Sequence, residues 1–229
     1  MSQQQIISIL FEFVVLLFSL SLHEAAHAWT ASRLGDQTAR MLGRVTLNPI
    51  KHIDPIGTVL LPLAMLFLGS YGRFLIGWAR PTPVNTRNFK NYVRGDVLTT
   101  LAGPASNLLA AFGSVILLVL LEKASPLAYA ILHGLADPSA AIRTTVYPAV
   151  MILYMGVQIN LSLFAFNLLP LPPLDGSHLV RHMLPYNALR IYDQMGMVSL
   201  FLMLMFGGRV INLFVAPALG LVDRVLLSL

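Results

Sequence analysis

Long apolar runs separated by short polar connections dominate the chain, and few stretches show the period-two alternation of a half-buried strand. Four runs reach the roughly 20 residues needed to cross a hydrocarbon core of about 30 Å. They are residues 6–29, 97–121, 146–169 and about 188–206. A fifth run, "IGTVLLPLAMLFLGSY" (residues 56–71), is shorter, holds Pro62 and carries Gly57 and Gly69 near its ends. That content predicts a re-entrant segment that dips into the bilayer and returns. The last stretch, residues 209–228, is broken by Asn212, Pro217 and the Asp223-Arg224 pair, and reads as a marginal span or an interfacial helix. Between the first two spans, "TARMLGRVTLNP" and "RPTPVNTRNF" look like short strands interrupted by Pro, Gly and Asn. The predicted fold is an all-α polytopic membrane protein of four to six helices. A small β-strand and re-entrant insertion follows the first helix, and residues 1–229 form one domain.

Composition sharpens this picture. Of 229 residues, 56% are hydrophobic and 11% charged, and mean hydropathy is +0.73. Soluble domains carry roughly 25% charged residues, so the lipid bilayer is the expected surroundings. The formal charge of +5 comes from Lys and Arg in loops flanking the apolar runs. This fits orientation in a bilayer and not nucleic-acid binding. The first run has no basic leader and no small-residue cleavage site, so it is expected to stay as the first span. Cysteine is absent. Any metal must therefore be held by His, Asp or Glu.

The candidate chemistry begins where the first span ends, in "LHEAAHAW" (residues 22–29). His23 and His27 are four residues apart and share one helix face, a spacing from which two imidazoles reach one tetrahedral metal. Glu24 projects about 100° around the helix, near such a metal but not on it, where it can accept a proton from water. H-E-x-x-H also arises by chance in helices. Its position at the end of an apolar span, where ionisable groups are costly, favours the metal reading. Glu12 lies three turns away, too far to share the metal, and reads as a snorkelling or helix-pairing residue.

A catalytic zinc needs a third protein ligand and an open position. The best candidate is Asp175 in "FNLLPLPPLDGSHL" (residues 166–179), where three prolines impose irregular backbone at membrane depth. Such backbone is tolerated only where it is buried in protein or lines a watery cavity. Gly176 lets the chain turn sharply there. By itself, Asp175-Gly176 reads as a plain turn at the membrane surface.

Together, "HEAAH" and "NLLPLPPLDG" resemble the site-2 protease family of intramembrane metalloproteases. The matching positions are His23, Glu24 and His27, then Asn167, Pro170, Asp175 and Gly176. "GWARPTPVN" (residues 77–85) and "LAGPASN" (residues 101–107) are also similar to family segments. The resemblance implies one Zn2+ per chain on His23, His27 and Asp175, with Glu24 activating water. It implies substrate-binding roles for Asn167 and Asn107, and a transmembrane protein as substrate. His178 is a candidate lining residue, and His52 a candidate gate or inhibitory ligand. His133 and His182 read as interfacial. The rival readings are a metal or solute carrier and a catalytically inactive scaffold.

Sidedness follows from counting crossings. His27 and Asp175 must lie on one side of the membrane, which requires an even number of crossings between them. A dip at residues 56–71 satisfies this and a full crossing does not. With the dip, eleven Lys and Arg fall on the active-site side and four on the other. The excess of basic residues puts the site toward the cytoplasm of a prokaryotic cell.

Overall fold

The computed structural model describes residues 3–67 and 77–227. Among the described residues, ten α-helices run in order: α1 (Gln3–Leu34), α2 (Thr38–Met41), α3 (Leu61–Phe67), α4 (Tyr92–Ala124), α5 (Pro126–Leu132), α6 (Pro138–Ala141), α7 (Val146–Asn167), α8 (Asp175–Arg181), α9 (Tyr186–Gln194) and α10 (Gly196–Leu227). Among the described residues, α1, α4 and α7 are long and apolar enough to cross a membrane.

Local chemistry sets the helix ends. α1 runs without Gly or Pro until Gly35, whose φ of +119° is a conformation L side chains rarely adopt. The Asn91 side chain accepts from the Arg94 N–H to start α4, and Ser125 does the same for Ala128 at the start of α5. α7 stops at Asn167, three residues before Pro170.

α4 is the central helix, packed against both α1 and α7. In lipid, helices gain little from hydrophobicity and associate through close packing and interhelical hydrogen bonds. Both devices are present. A Cβ on Gly156 of α7 would lie 2.8 Å from Ser114 Oγ of α4, so the two backbones approach closely because that position is glycine. Asn107 of α4 donates to Asn160 of α7 at 2.8 Å. Val15, Leu16, Leu20, Ile159 and Leu163 form one apolar cluster, joined by Ala79 from the insertion. Leu118, Val157 and Leu226 form a second, which brings the end of α10 onto α4 and α7.

The insertion after α1 departs from expectation. No strand occurs among the described residues; the two expected strands are helical turns and extended backbone without a ladder. The physical reason is where the donors go. The N–H of Thr82 goes to Glu24, that of Asn85 goes to Asp36, and Pro81 and Pro83 have none. Asp36, fully buried, also accepts from Thr38 and Asn88, which knots the end of α1 to the strap of residues 80–89.

Residues 55–60 form a π-helical turn that leads into α3, while residues 68–71 of the expected re-entrant segment lie outside the described residues. Its two flanks are joined. The Trp78 N–H donates to the Gly57 carbonyl at 3.2 Å, Thr58 Oγ1 donates to the Trp78 carbonyl at 2.7 Å, and the Arg80 N–H donates to the His52 carbonyl at 2.8 Å.

The C-terminal third also differs. The expected span at 188–206 divides into the short α9 and the start of α10, which continues through Pro217. In α9 the helical period gathers Arg190, Asp193 and Gln194 on one face, opposite Ala188, Ile191 and Met195. An amphipathic helix of nine residues is too short to cross a membrane.

Candidate metal centre

α1, α4 and α8 together build the centre. His23 and His27, one turn apart on α1, are both buried, with Nε2 atoms 3.0 Å apart. Asp175, the first residue of α8, places Oδ2 3.0 Å from His23 Nε2 and 3.4 Å from His27 Nε2. Among the described residues, these three form the one group of His and acidic side chains whose donor atoms converge closely enough for a metal.

Each imidazole is held from behind. His27 Nδ1 lies 2.7 Å from the Thr99 carbonyl, which can only accept, so Nδ1 carries the proton and Nε2 presents a lone pair. His23 Nδ1 lies 2.6 Å from Asn107 Oδ1. Two imidazole lone pairs and a carboxylate oxygen therefore point at one another. That arrangement is repulsive unless a cation joins them. Donor atoms at about 2.0–2.1 Å from one tetrahedral zinc sit roughly 3.3–3.4 Å apart, close to the separations observed. Asp175 Oδ2 is buried and has no polar partner besides these two nitrogens. The residues fit the ion.

Burial opposes ionisation of Asp175. Hydrogen bonds and positive charge from His23 and His27, when their Nε2 atoms are protonated, outweigh burial and hold the carboxyl well below the usual carboxylate range, and a metal ion at the same point acts in the same sense.

Glycine and proline in α4 make room for the pair. A Cβ on Gly103 would fall 2.4 Å from His27 Nε2 and 2.6 Å from His23 Nε2, so no other residue fits without displacing an imidazole. Pro104 removes the N–H that would bond the Thr100 carbonyl and loosens α4 at this turn. Gly176 also serves close approach and not a turn: a Cβ there would lie 2.4 Å from the carbonyl oxygens of Leu168 and Leu169. Its absence lets α8 start directly against the end of α7, with Asp175 over the histidines.

Glu24 is half-buried beside the pair. The Thr82 N–H donates to its Oε2 at 2.7 Å, and Thr82 Oγ1 donates to its backbone carbonyl at 3.0 Å. Thr82 lies between two prolines, so its N–H is the sole backbone donor of the Pro81-Thr82-Pro83 segment, and Pro83 favours extended backbone before it. The strap thus fixes the carboxylate beside the candidate ligands.

The other expected site residues make contacts within the protein. Asn107 is fully buried behind His23, and both ends of its amide are engaged. Asn167 donates to the Leu163 carbonyl of its own helix at 3.0 Å. His52 is buried in the insertion, with Nε2 2.9 Å from the Thr46 carbonyl. His178 and His182 flank Asp96 at 3.6 and 2.8 Å, and His133 pairs with Glu122 at 2.8 Å on the far side of α4. Sequence reasoning missed Thr99, Gly103, Asn160 and Thr82. Thr82 and Gly103 lie in the segments 77–85 and 101–107 that resemble the family, and Asn160 is an amide inside an apolar span; Thr99 left no signal.

Residues 11–207 match the description of peptidase family M50, the site-2 protease family. The chain belongs to this family. It is 44% identical over 172 residues to "Putative zinc metalloprotease YwhC" of Bacillus subtilis, covering 75% of this chain and 68% of that protein. It is also 34% identical over 160 residues to "Putative zinc metalloprotease Rip2" of Mycolicibacterium smegmatis, covering 70% of this chain and 52% of that protein. The Rip2 protein of Mycobacterium tuberculosis strain H37Rv is 29% identical over 206 residues, covering 86% of this chain and 66% of that protein. The chain thus spans about half to two thirds of the length of these relatives. No solved structure matches it. With three apolar helices and this family, the chain is an integral membrane protein.

Proposed function

We propose that this chain is an intramembrane zinc endopeptidase that hydrolyses peptide bonds in or near transmembrane segments of membrane-tethered proteins. The observation that carries the proposal is the convergence of His23, His27 and Asp175, with Glu24 fixed beside them in the C-terminal third of a membrane helix. The names of the relatives supply the identity of the metal.

His23, His27 and Asp175 would hold the zinc, which supplies Lewis acidity that polarises the scissile carbonyl and acidifies water. Glu24 takes the proton of the attacking water on a carboxylate oxygen and later returns it to the leaving amine. The Thr82 N–H holds Oε2, which keeps the carboxylate aimed while it changes protonation state. Asn107 and the Thr99 carbonyl keep both imidazoles turned toward the ion.

A helical substrate hides its carbonyls in intrahelical hydrogen bonds and must unwind locally before attack. Residues Val45, Thr46 and Leu47 run beside the α1 stripe of Leu22, Ala25, Ala26 and Trp29, and the two enclose a groove of about 290 Å³. An unwound apolar stretch laid along this segment, and along the strap near Val84, gains main-chain hydrogen bonds by β-addition.

Glu24→Gln tests the reaction. The purified variant should bind one zinc per chain and lose cleavage, while membranes that carry it should accumulate single-span fragments. Cleavage by the Gln variant at the parent rate would sink the protease reading. A carrier would keep moving its cargo with Gln at this position.

We further propose that the site faces the cytoplasm. The hydrogen bonds between residues 52–58 and 78–80 support a dip over a full crossing, which leaves the basic residues on the active-site side. Single cysteines at Lys51 and Arg80 should both react with an impermeant thiol reagent in inverted vesicles and in neither case from outside intact cells. Labelling of either from outside would reverse the assignment.

A further inference from the structure

Three helices are linked behind His23 by a line of side-chain amides. Asn160 Nδ2 of α7 lies 2.8 Å from the Gly156 carbonyl, and Asn160 Oδ1 lies 2.8 Å from Asn107 Nδ2 of α4. Asn107 Nδ2 also lies 3.2 Å from the Ser19 carbonyl, and Asn107 Oδ1 lies 2.6 Å from His23 Nδ1 of α1. Asn107 is fully buried, Asn160 is 4% exposed, and no water is needed to close the line.

Backbone carbonyls fix the direction of every bond in it. The Gly156 carbonyl can only accept, so Asn160 must turn its NH2 that way and its oxygen toward Asn107. Asn107 then faces two acceptors, Asn160 Oδ1 and the Ser19 carbonyl, and must present its NH2 to both. Its own oxygen is left for His23. An oxygen there accepts, so His23 carries its proton on Nδ1 and its lone pair on Nε2, the atom that faces Asp175 and His27. The opposite tautomer would set a lone pair against Asn107 Oδ1 and an N–H into the metal position.

We infer that Asn160 and Asn107 form a polarised relay from α7 through α4 that sets the tautomer and rotation of His23 for zinc. Both are positioning residues. The inference rests on His23 being a zinc ligand. Groups that orient a ligating histidine typically contribute 10–100-fold to metal affinity.

The test measures zinc affinity of the stripped, detergent-solubilised full chain by competition with a chromophoric chelator, with melting temperature recorded on the same preparations. Asn107→Leu should weaken zinc binding by about 10–100-fold. Asn107→Asp keeps an acceptor toward His23 and should restore affinity to within about threefold of the parent, even where the melting temperature falls. Asn160→Leu leaves the Ser19 carbonyl to orient Asn107 and should show an intermediate loss. Parent affinity in folded Asn107→Leu would overturn the relay, as would an Asp variant no better than Leu. Should neither Asn107 variant fold, Asn160→Leu decides, and parent zinc affinity there overturns it. His23→Ala separates the two levels. Undiminished zinc in that variant defeats the ligand assignment itself, whereas lost zinc there with parent affinity in Asn107→Leu defeats only the relay.

Discussion

Two clusters in this molecule share one formula: a pair of histidines four residues apart on a helix, and an aspartate from another element. In the first, His23 and His27 of α1 meet Asp175 of α8. In the second, His178 of α8 and His182 just past its end meet Asp96 of α4. The first converges on a point and the second does not. Asp175 offers a single oxygen, Oδ2, to both Nε2 atoms, and the backs of both rings are already engaged by Thr99 and Asn107. Asp96 uses separate oxygens, Oδ1 for His178 and Oδ2 for His182, and the latter contact at 2.8 Å is an ordinary hydrogen bond. Composition and spacing do not distinguish a chelate from a latch. The direction of the lone pairs does, and groups behind the rings set that direction.

The comparison breaks most sharply by removing each aspartate in turn. Asp175→Ala should lower zinc affinity by more than about 100-fold, beyond the usual cost of losing a group behind a ligand, and abolish cleavage. Asp96→Ala should leave one zinc per chain. It instead leaves His182, which is mostly buried, without its acceptor, at about 1–3 kcal/mol of stability. Metal content by mass spectrometry and thermal unfolding on paired preparations read both effects. Full zinc in the first variant, or lost zinc in the second, would show that the two clusters have been assigned the wrong way round.

The legible parts of this centre were the local ones. His23, Glu24 and His27 lie within one helical turn, and the apolar runs that became α1, α4 and α7 announce themselves by length. Asp175 was legible only as a paired motif, because nothing in Asp-Gly distinguishes a ligand from a turn. The Thr99 carbonyl was out of reach, since a backbone atom leaves no mark on the residue type. Gly103 read as one more small residue in a span until a histidine was found against it. Strands were expected at residues 38–49 and 80–89 because extended composition was visible while the competing acceptors, Asp36 and Glu24, were distant in sequence. The same blindness joined α9 to α10: average hydropathy counts Ala188 and Ile191 but not the face on which Arg190 and Asp193 gather.

Asn167 sharpens the comparison at its smallest effect, because it tests whether a polar group near the ligands must act on substrate. It is the last residue of α7, eight positions before Asp175, and its Nδ2 donates to the Leu163 carbonyl one turn back. Past the end of α7 the Leu168 N–H reaches the Phe164 carbonyl and the Leu169 N–H the Phe166 carbonyl, while the Asn167 side chain adds a donor to the Leu163 carbonyl just inside the helix. An added side-chain donor to a carbonyl contributes at most about 0.5–1.5 kcal/mol. Asn167→Ala should therefore lower the melting temperature by a few degrees, about what 1 kcal/mol costs a chain of this size. Zinc content should not change, and the turnover of folded enzyme should stay within about threefold of the parent. The alternative has a different magnitude: losing a donor to the developing oxyanion costs about 10²–10³-fold in rate. A loss on that scale with an unchanged melting temperature would return Asn167 to the substrate-binding role that the family resemblance implies. It would also mean that its bond to Leu163 yields when substrate arrives.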